Sequence, residues 1–131
     1  MIRIDRNYFS ELIEEAWNNL PDEWQEKLAD ANISYQVMNF ATPEILQKMN
    51  ISNSMSLLGL YTGTPITVRP SFSPYSWPDR ILLFQIPIQS RARDLDHLKE
   101  IIAHVLYHEI GHYFGMDEDQ LHEAQKDNNP L

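Results

Sequence analysis

The sequence contains no cysteine, so it offers neither a disulfide bond nor a thiolate ligand for a metal ion. A small secreted scaffold held together by disulfides is therefore excluded. Any transition metal must be bound through His, Asp or Glu side chains.

Long apolar runs are also missing. No stretch approaches the roughly 18 apolar residues of a membrane-spanning helix. Residues 1–20 alternate charged with apolar side chains and lack the uninterrupted apolar stretch of a signal peptide. We therefore expect a cytoplasmic protein without a membrane partner.

Positive charge is scarce, since Lys and Arg number 10 against 19 Asp and Glu, which gives a formal net charge of −9. Such a surface repels nucleic acid unless a basic patch intervenes. Arg91 and Arg93 form the only local basic cluster, and we interpret them as part of a solvated loop. No nucleic-acid partner is expected.

The length and the overall composition of the chain are those of one folded domain. A length of 131 residues is enough for one hydrophobic core but leaves little for a second. The apolar fraction of 43% and the charged fraction of 22% are those of an ordinary globular protein. We predict a single domain over residues 1–131.

Two helices are predicted near the N-terminus. Apolar side chains between Phe9 and Leu20 recur at intervals of three and four, with Asp5 able to cap the helix and Pro21 able to end it. A second helix is predicted to start at Pro21 and to place Trp24 and Leu28 on its inner side.

Strand and helix signals then alternate. Residues 33–37 alternate apolar and polar side chains, as a half-buried strand does. Thr42 and Pro43 are typical of the cap and first position of a short helix. Residues 50–56 are predicted to be a loop.

Residues 57–61 are apolar, and the turn after them is expected to return the chain as a paired strand over residues 66–69. Residues 70–79 are predicted to be an irregular excursion, whose aromatic side chains either cover the core or contact a ligand; these are Phe72, Tyr75 and Trp77. Residues 80–86 have strand character, and Pro87 suits the end of a strand or a sheet edge.

A long helix is predicted after Asp94, its N-cap. Helical spacing carries its apolar stripe on to Glu109 and His112, with His108 beside them; the stripe consists of Leu98, Ile101, Ile102 and Val105. Side chains of metal-ligand type therefore lie on the face that points into the protein.

His108 and His112 lie one helical turn apart, so both rings can reach one zinc ion about 2.1 Å from each ring nitrogen. Glu109 lies near enough to act as the general base on a metal-activated water. A chance occurrence of this motif has a probability on the order of one per cent. The alternative is a pair of core histidines with Glu109 as an ion partner, which buries charge at a cost.

A catalytic zinc ion needs a third protein ligand. Gly115 can end the helix with a positive φ and reverse the chain, and Glu118 then stands at the offset where the metzincin signature has its third ligand. Asp117 and His122 are the alternatives. Asp117 forms a capping-box pattern with Gln120, which leaves Glu118 free to turn toward the metal.

Two further histidines are not expected to bind this metal. His104 continues the row but lies about 12 Å along the helix axis from His112, too far for one ion, so we interpret it as structural. His97, in the first turn of the same helix, is interpreted as a surface residue.

A family resemblance that extends over most of the chain is carried by four segments: residues 9–21, 57–65, 78–81 and 108–115. They resemble the minimal zincin-like metallopeptidases of bacteria. The most specific is the second, Leu57-Leu58-Gly59-Leu60-Tyr61-Thr62-Gly63-Thr64-Pro65, because His-Glu-x-x-His occurs in many peptidases.

The resemblance implies an α+β fold, in which a small twisted β-sheet packs on a long active-site helix, with additional N-terminal helices and a short C-terminal helix. It also implies Zn²⁺ as the cofactor and metalloprotease activity. Family members commonly carry Asp at the position of Glu118. No Met follows Met116, so the separate Met-turn of true metzincins is missing and the chain is not one of them.

We therefore predict a zinc metallopeptidase that hydrolyses a peptide or protein substrate. His108, His112 and Glu118 are the predicted metal ligands, and Glu109 is the predicted general base that takes a proton from the metal-activated water.

In related zincins an extended substrate lies along a sheet edge, and the strand over residues 80–86 is the expected edge here. The oxyanion is expected to be stabilised by one of three tyrosines, Tyr61, Tyr75 or Tyr113. Two alternative functions are a non-catalytic, metal-stabilised module that binds a partner and a metal-dependent hydrolase that acts on RNA.

Overall fold

The fold combines helices with a small sheet in the two ranges that the computed structural model describes, residues 2–63 and 79–124. In these ranges the chain forms six α-helices, one 3-10 turn and three strands, which confirms the predicted α+β class. In chain order the elements are α1 (Arg6–Asn18), α2 (Asp22–Leu28), β1 (Ile33–Met38), α3 (Pro43–Lys48), the 3-10 turn (Ser54–Ser56), β2 (Gly59–Thr62), β3 (Asp79–Phe84), α4 (Gln85–Ser90), α5 (Leu95–Tyr113) and α6 (Glu118–Ala124).

The two N-terminal helices follow their sequence signals. The Asp5 carboxylate accepts a hydrogen bond from the backbone N–H of Tyr8 at 2.7 Å and so caps α1 as predicted. Phe9 and Ile13 of α1 are fully buried in the main core. Pro21 is the N-cap residue of α2, and Leu28 is the buried residue of that helix.

Strand β1 and helix α3 also follow the sequence. Polar Ser34 and Gln36 of β1 are exposed, while the apolar residues between them are partly buried, as the alternation predicts. The Thr42 hydroxyl accepts a hydrogen bond from the Ile45 N–H at 3.2 Å and caps α3, with Pro43 in its first turn. The predicted loop at residues 50–56 contains the 3-10 turn.

The three strands lie in the order β1-β3-β2, with β1 parallel and β2 antiparallel to β3. The prediction that residues 80–86 form a sheet edge is therefore wrong, because β3 is the central strand of the described sheet. Ile81, Leu83 and Phe84 are fully buried, as expected for a strand covered on both faces. The predicted strand over residues 66–69 and the aromatic residues Phe72, Tyr75 and Trp77 lie outside the described residues.

The predicted strand also ends two residues early, because Gln85 begins α4. Pro87 lies in the first turn of this helix rather than at a sheet edge. A helix tolerates proline there, since the backbone N–H groups of the first turn have no partner within the helix. Gln85 and Gln89 are both buried, and the Gln85 amide N–H donates to Gln89 Oε1 at 2.9 Å.

Helix α5 is the longest element and crosses the core. Its cap is the predicted one, because the Asp94 carboxylate accepts a hydrogen bond from the His97 N–H at 2.8 Å. The predicted stripe is buried, from Leu98 to Val105. Helix α1 packs against this stripe, so the helix that carries the His-Glu-x-x-His motif is held by the main core.

His97 contradicts its predicted surface position. Its side chain is only 8% exposed, and its Nδ1 accepts a hydrogen bond from the Arg93 N–H at 3.1 Å. That hydrogen bond satisfies the buried imidazole and closes the turn before α5. Arg91 and Arg93 are exposed beside this turn, as predicted.

Aromatic rings support the outer side of α5 near its C-terminal end. Trp24 of α2 stacks on Tyr107, with ring centroids 4.2 Å apart, and meets the edge of Phe114 at 5.1 Å.

Among residues 2–63 and 79–124, none of the helices has the length and apolar content of a membrane span.

Candidate metal centre

The C-terminal half of α5 presents two imidazoles on one face. The rings of His108 and His112 have centroids 4.8 Å apart and stand nearly perpendicular, at 84°. Their side chains are 26% and 29% exposed, so solvent reaches both. Ligand atoms of His108, His112 and Glu109 all lie within 4.8 Å of one another.

Helix α5 ends in the turn that Gly115 predicts. Gly115 has φ 86°, its N–H donates to the His112 carbonyl at 2.9 Å, and the Met116 N–H donates to the Gly111 carbonyl at 2.9 Å. These two bonds form a Schellman motif, which satisfies the last carbonyl groups of the helix and reverses the chain. The reversal lets the next helix begin beside the two histidines.

Helix α6 starts with the predicted capping box. The Asp117 N–H donates to Gln120 Oε1 at 2.8 Å, and the Gln120 N–H donates to Asp117 Oδ1 at 2.8 Å. Leu121 of α6 is fully buried and packs directly on Gly111 of α5. The cap occupies Asp117 and leaves the side chain of the next residue, Glu118, outside this pair of bonds.

Of the three candidates for a third ligand, Glu118 is the one whose carboxylate reaches the histidine pair. Its Oε2 lies 3.2 Å from His108 Nε2 and its Oε1 lies 3.0 Å from His112 Nε2. Asp117 is held in the capping box, and His122 is exposed in the last turn of α6.

This donor set fits zinc. Two donors that each lie about 2.1 Å from a tetrahedral zinc ion are about 3.4 Å apart, close to the separations that Glu118 makes with both rings. His112 Nδ1 lies 3.3 Å from the Met116 carbonyl oxygen, and a proton on Nδ1 would donate to that oxygen and leave the Nε2 lone pair for a metal ion. Imidazole and carboxylate together suit zinc better than calcium or magnesium, which prefer oxygen alone.

Glu109 differs from the other members of the site because it is buried, with only 9% of the residue exposed. Its Oε1 accepts a hydrogen bond from the Tyr61 N–H at 2.9 Å, across 48 residues of sequence. Burial is the largest of the causes that together raise the pKa of Glu109 to about 7; His112 and the Tyr61 N–H act to lower the pKa, and the nearby Glu118 acts to raise it. A carboxylate in such surroundings exchanges protons near neutral pH.

The comparison with known families agrees with this geometry. The family model described as zincin-like metallopeptidase matches residues 30–127. The chain belongs to the zincin-like metallopeptidase family. Such a family implies a bound metal, usually zinc, and the His108, Glu109 and His112 group can hold one. No curated protein matches the chain.

Two contributions to this zincin-like site come from β2, which the motif alone does not reveal. Tyr61 offers its backbone N–H to Glu109, and Gly59 lets β2 approach α5 closely. A Cβ at Gly59 would lie 2.6 Å from Val105 Cγ1 and 3.4 Å from Glu109 Cγ. Gly59 and Tyr61 both belong to the family-specific segment at residues 57–65. That segment was the sequence signal that could have predicted their contribution to the site.

His104 and two of the tyrosines considered as oxyanion donors, Tyr61 and Tyr113, lie at the margin of the zincin-like site. The rings of His104 and His108 are stacked with centroids 6.4 Å apart, and burial, followed by the charge of His108, lowers the pKa of His104. Tyr61 donates its hydroxyl to Asp79, and Tyr113 is only 6% exposed. The third tyrosine, Tyr75, lies outside the described residues.

A cleft of about 770 Å³ opens in front of the two imidazoles. Its walls come from the end of α3, from β2 with the residues around it, and from the turn between α5 and α6. The lining residues are Met49, Leu57, Gly59, Leu60, Tyr61, Gly63, His108, Glu109, His112, Gly115, Met116, Asp117 and Glu118. The candidate ligands and Glu109 therefore face a space large enough for part of a peptide chain.

Proposed function

We propose that this member of the family is a zinc-dependent peptidase, with His108, His112 and Glu118 as the metal ligands and Glu109 as the general base. The observation that carries the proposal is the approach of the Glu118 carboxylate to both Nε2 atoms, at 3.2 Å and 3.0 Å, beside an open cleft. Three protein ligands leave a fourth position for water, which is the arrangement of a catalytic zinc site.

Zinc held by these residues would supply Lewis acidity, which would make a water a nucleophile near neutral pH. Glu109 takes the proton of that water and passes it to the leaving amine. The Tyr61 N–H donates a hydrogen bond to Oε1 of Glu109, so Oε2 is the oxygen that accepts the proton from water and then releases it. Burial raises the proton affinity of Glu109, which supports its role as a base.

The two alternative functions receive less support. The described walls of the cleft carry three carboxylates, from Glu109, Asp117 and Glu118, and neither Lys nor Arg, which disfavours RNA as the substrate. A purely structural metal site is closed by four protein ligands, whereas His108 and His112 face an open cleft. Both features favour hydrolysis of a peptide.

The test measures cleavage of a peptide library by the zinc-loaded protein, with and without a chelator. Replacing Glu109 with Gln is expected to lower kcat/KM by about 10²–10⁴-fold while the zinc content stays at one ion per chain, because the change removes the base and spares the ligands. Glu100→Gln is the matched control, since Glu100 is exposed on the same helix far from the cleft. Cleavage that persists in both the chelated protein and the Glu109→Gln variant would contradict the proposed function.

A further inference from the structure

The cleft has an apolar wall beside its catalytic groups. Four large apolar side chains line the same cavity as His108: Met49, Leu57, Leu60 and Met116. They come from three separate places in the sequence, the end of α3, the segment around β2 and the turn after α5. The fold therefore places these apolar side chains in the same cleft as the candidate metal ligands and Glu109.

The wall has a firm base and an exposed rim. Leu57 and Leu60 pack on a second, smaller hydrophobic cluster formed by Ala41, Leu82 and Phe84. Met49 is 43% exposed, and among the described residues the only other large hydrophobic side chain classed as exposed is Phe40, at 38%. A flexible Met at the rim of a pocket adapts to side chains of different shapes.

The charges around the wall restrict what can enter. The described lining carries the carboxylates of Glu109, Asp117 and Glu118 and no Lys or Arg. Apart from the proposed zinc ion, the described lining offers no cation to an acidic side chain or to the free C-terminal carboxylate of a peptide, and its carboxylates repel both. The cleft therefore suits an internal stretch of a peptide chain that is apolar next to the scissile bond.

We propose that the wall formed by Met49, Leu57, Leu60 and Met116 is the binding pocket for one large apolar side chain, such as Leu, Phe or Met, adjacent to the bond that is hydrolysed. The inference rests on the proposed function and names its substrate class. In the reaction the C–N bond breaks, the acyl carbon gains the hydroxyl of water, and the amine gains the proton. Filling an apolar pocket changes kcat/KM by about 10–200-fold even for small differences in the side chain.

The first experiment uses zinc-loaded protein and internally quenched peptides that differ at one position, Leu, Ala or Asp. The Leu peptide is expected to be cleaved at least about tenfold faster than the Ala peptide, in kcat/KM, and the Asp peptide slowest. Met49→Glu is expected to remove most of the preference for Leu. Phe40→Glu is the matched control, because Phe40 is similarly exposed but does not line the cleft. Equal rates for the Leu and Asp peptides would overturn the inference while leaving the proposed function intact.

The second experiment does not depend on turnover. Affinities of the zinc-loaded protein for two peptide hydroxamates, one with a Leu and one with a Gly side chain, are compared for the unmodified chain and both variants. Tighter binding of the Leu compound, lost in Met49→Glu and kept in Phe40→Glu, supports the pocket even if no peptide is cleaved, in which case only the proposed function fails. Equal affinities overturn the inference. Dimers that Met49→Glu converts to monomers, without a change in hydroxamate preference, would instead assign the wall to a second copy of the chain.

Discussion

The three candidate metal ligands, His108, His112 and Glu118, differ in how rigidly the fold positions them. His108 and His112 stand on a helix packed into the main core, whereas the Glu118 side chain is 71% exposed at the start of a short helix. An exposed carboxylate near an imidazole contributes little to folding by itself, because water screens the interaction. We therefore expect the main role of Glu118 to be in metal binding rather than in stability.

Replacing Glu118 with Ala is expected to weaken zinc binding more than about 100-fold, since loss of even a supporting residue outside the ligand set costs about 10–100-fold. Thermal stability of the zinc-free protein should change little. Glu118→Asp is expected to retain part of the affinity, because it keeps the carboxylate and shortens its reach by one methylene. Zinc affinity is measured by competition with a chelator of known strength.

The control for this series is Asp119→Ala, which removes a neighbouring exposed acid that does not line the cleft. If Glu118→Ala and Asp119→Ala bind zinc with the same affinity as the unmodified chain, Glu118 is not a ligand.

At the scale of elements, α5 and α6 form the unit that assembles the site. Helix α6 has only seven residues, too few to be stable in isolation. The capping box at Asp117 and the buried contact of Leu121 with Gly111 hold it against α5. The position of Glu118 over the histidines therefore depends on packing one turn farther along α6.

Gly111→Ala tests this dependence, because a Cβ at Gly111 would lie 2.1 Å from Leu121 Cδ2. The methyl group is expected to push α6 away from α5, weaken zinc binding at least about tenfold and lower thermal stability by about 1–3 kcal/mol. The double variant with Leu121→Ala removes the clash and should recover part of the zinc affinity. Both quantities are measured on the same preparations, by chelator competition and thermal unfolding.

Leu121→Ala alone serves as the reference for the double variant. A Gly111→Ala protein that is destabilised yet binds zinc as tightly as the unmodified chain would show that α6 does not set the position of the third ligand.

At the scale of the whole molecule, a bound ion would connect the core helix to the C-terminal helix. A ligand that binds only the folded state stabilises it in proportion to the logarithm of its concentration. Zinc at about a thousand times its Kd is therefore expected to stabilise the fold by about 4 kcal/mol, minus any affinity of the unfolded chain for zinc. The measurement is the melting temperature as a function of free zinc.

The His108→Ala/His112→Ala double variant should lose this zinc dependence while it keeps a cooperative transition. Both imidazoles are partly exposed, so their removal leaves the core intact. A melting temperature that rises with zinc to the same extent in the double variant would place the ion elsewhere.

The sequence alone determined the features that depend on residues within about one helical turn of one another. The caps Asp5, Thr42 and Asp94 each bind a backbone N–H three residues ahead, and all three were predicted. The helix end at Gly115 was predicted for the same reason, as was the projection of His108 and His112 from one face. Such patterns are readable because helix geometry converts spacing along the chain into direction in space.

The sheet order was not readable in this way. The apolar composition of residues 79–84 is compatible with either an edge strand or a central strand, and Pro87 favoured the edge. In the structure β1 pairs with one side of β3 and β2 with the other, and Pro87 lies in the first turn of α4. The choice between edge and centre depends on which strands pack beside β3, and these lie far from it in sequence.

Only the tertiary structure decided how distant segments complete the site. The Tyr61 N–H reaches Glu109 across 48 residues, and His97 is buried by packing that its own helix does not reveal. Local sequence reports contacts between near neighbours, whereas these contacts follow from the free energy of packing the whole chain. The His-Glu-x-x-His spacing therefore predicts the metal-binding chemistry, while its surroundings, the contact of β2 with Glu109 and the apolar wall, come from the fold.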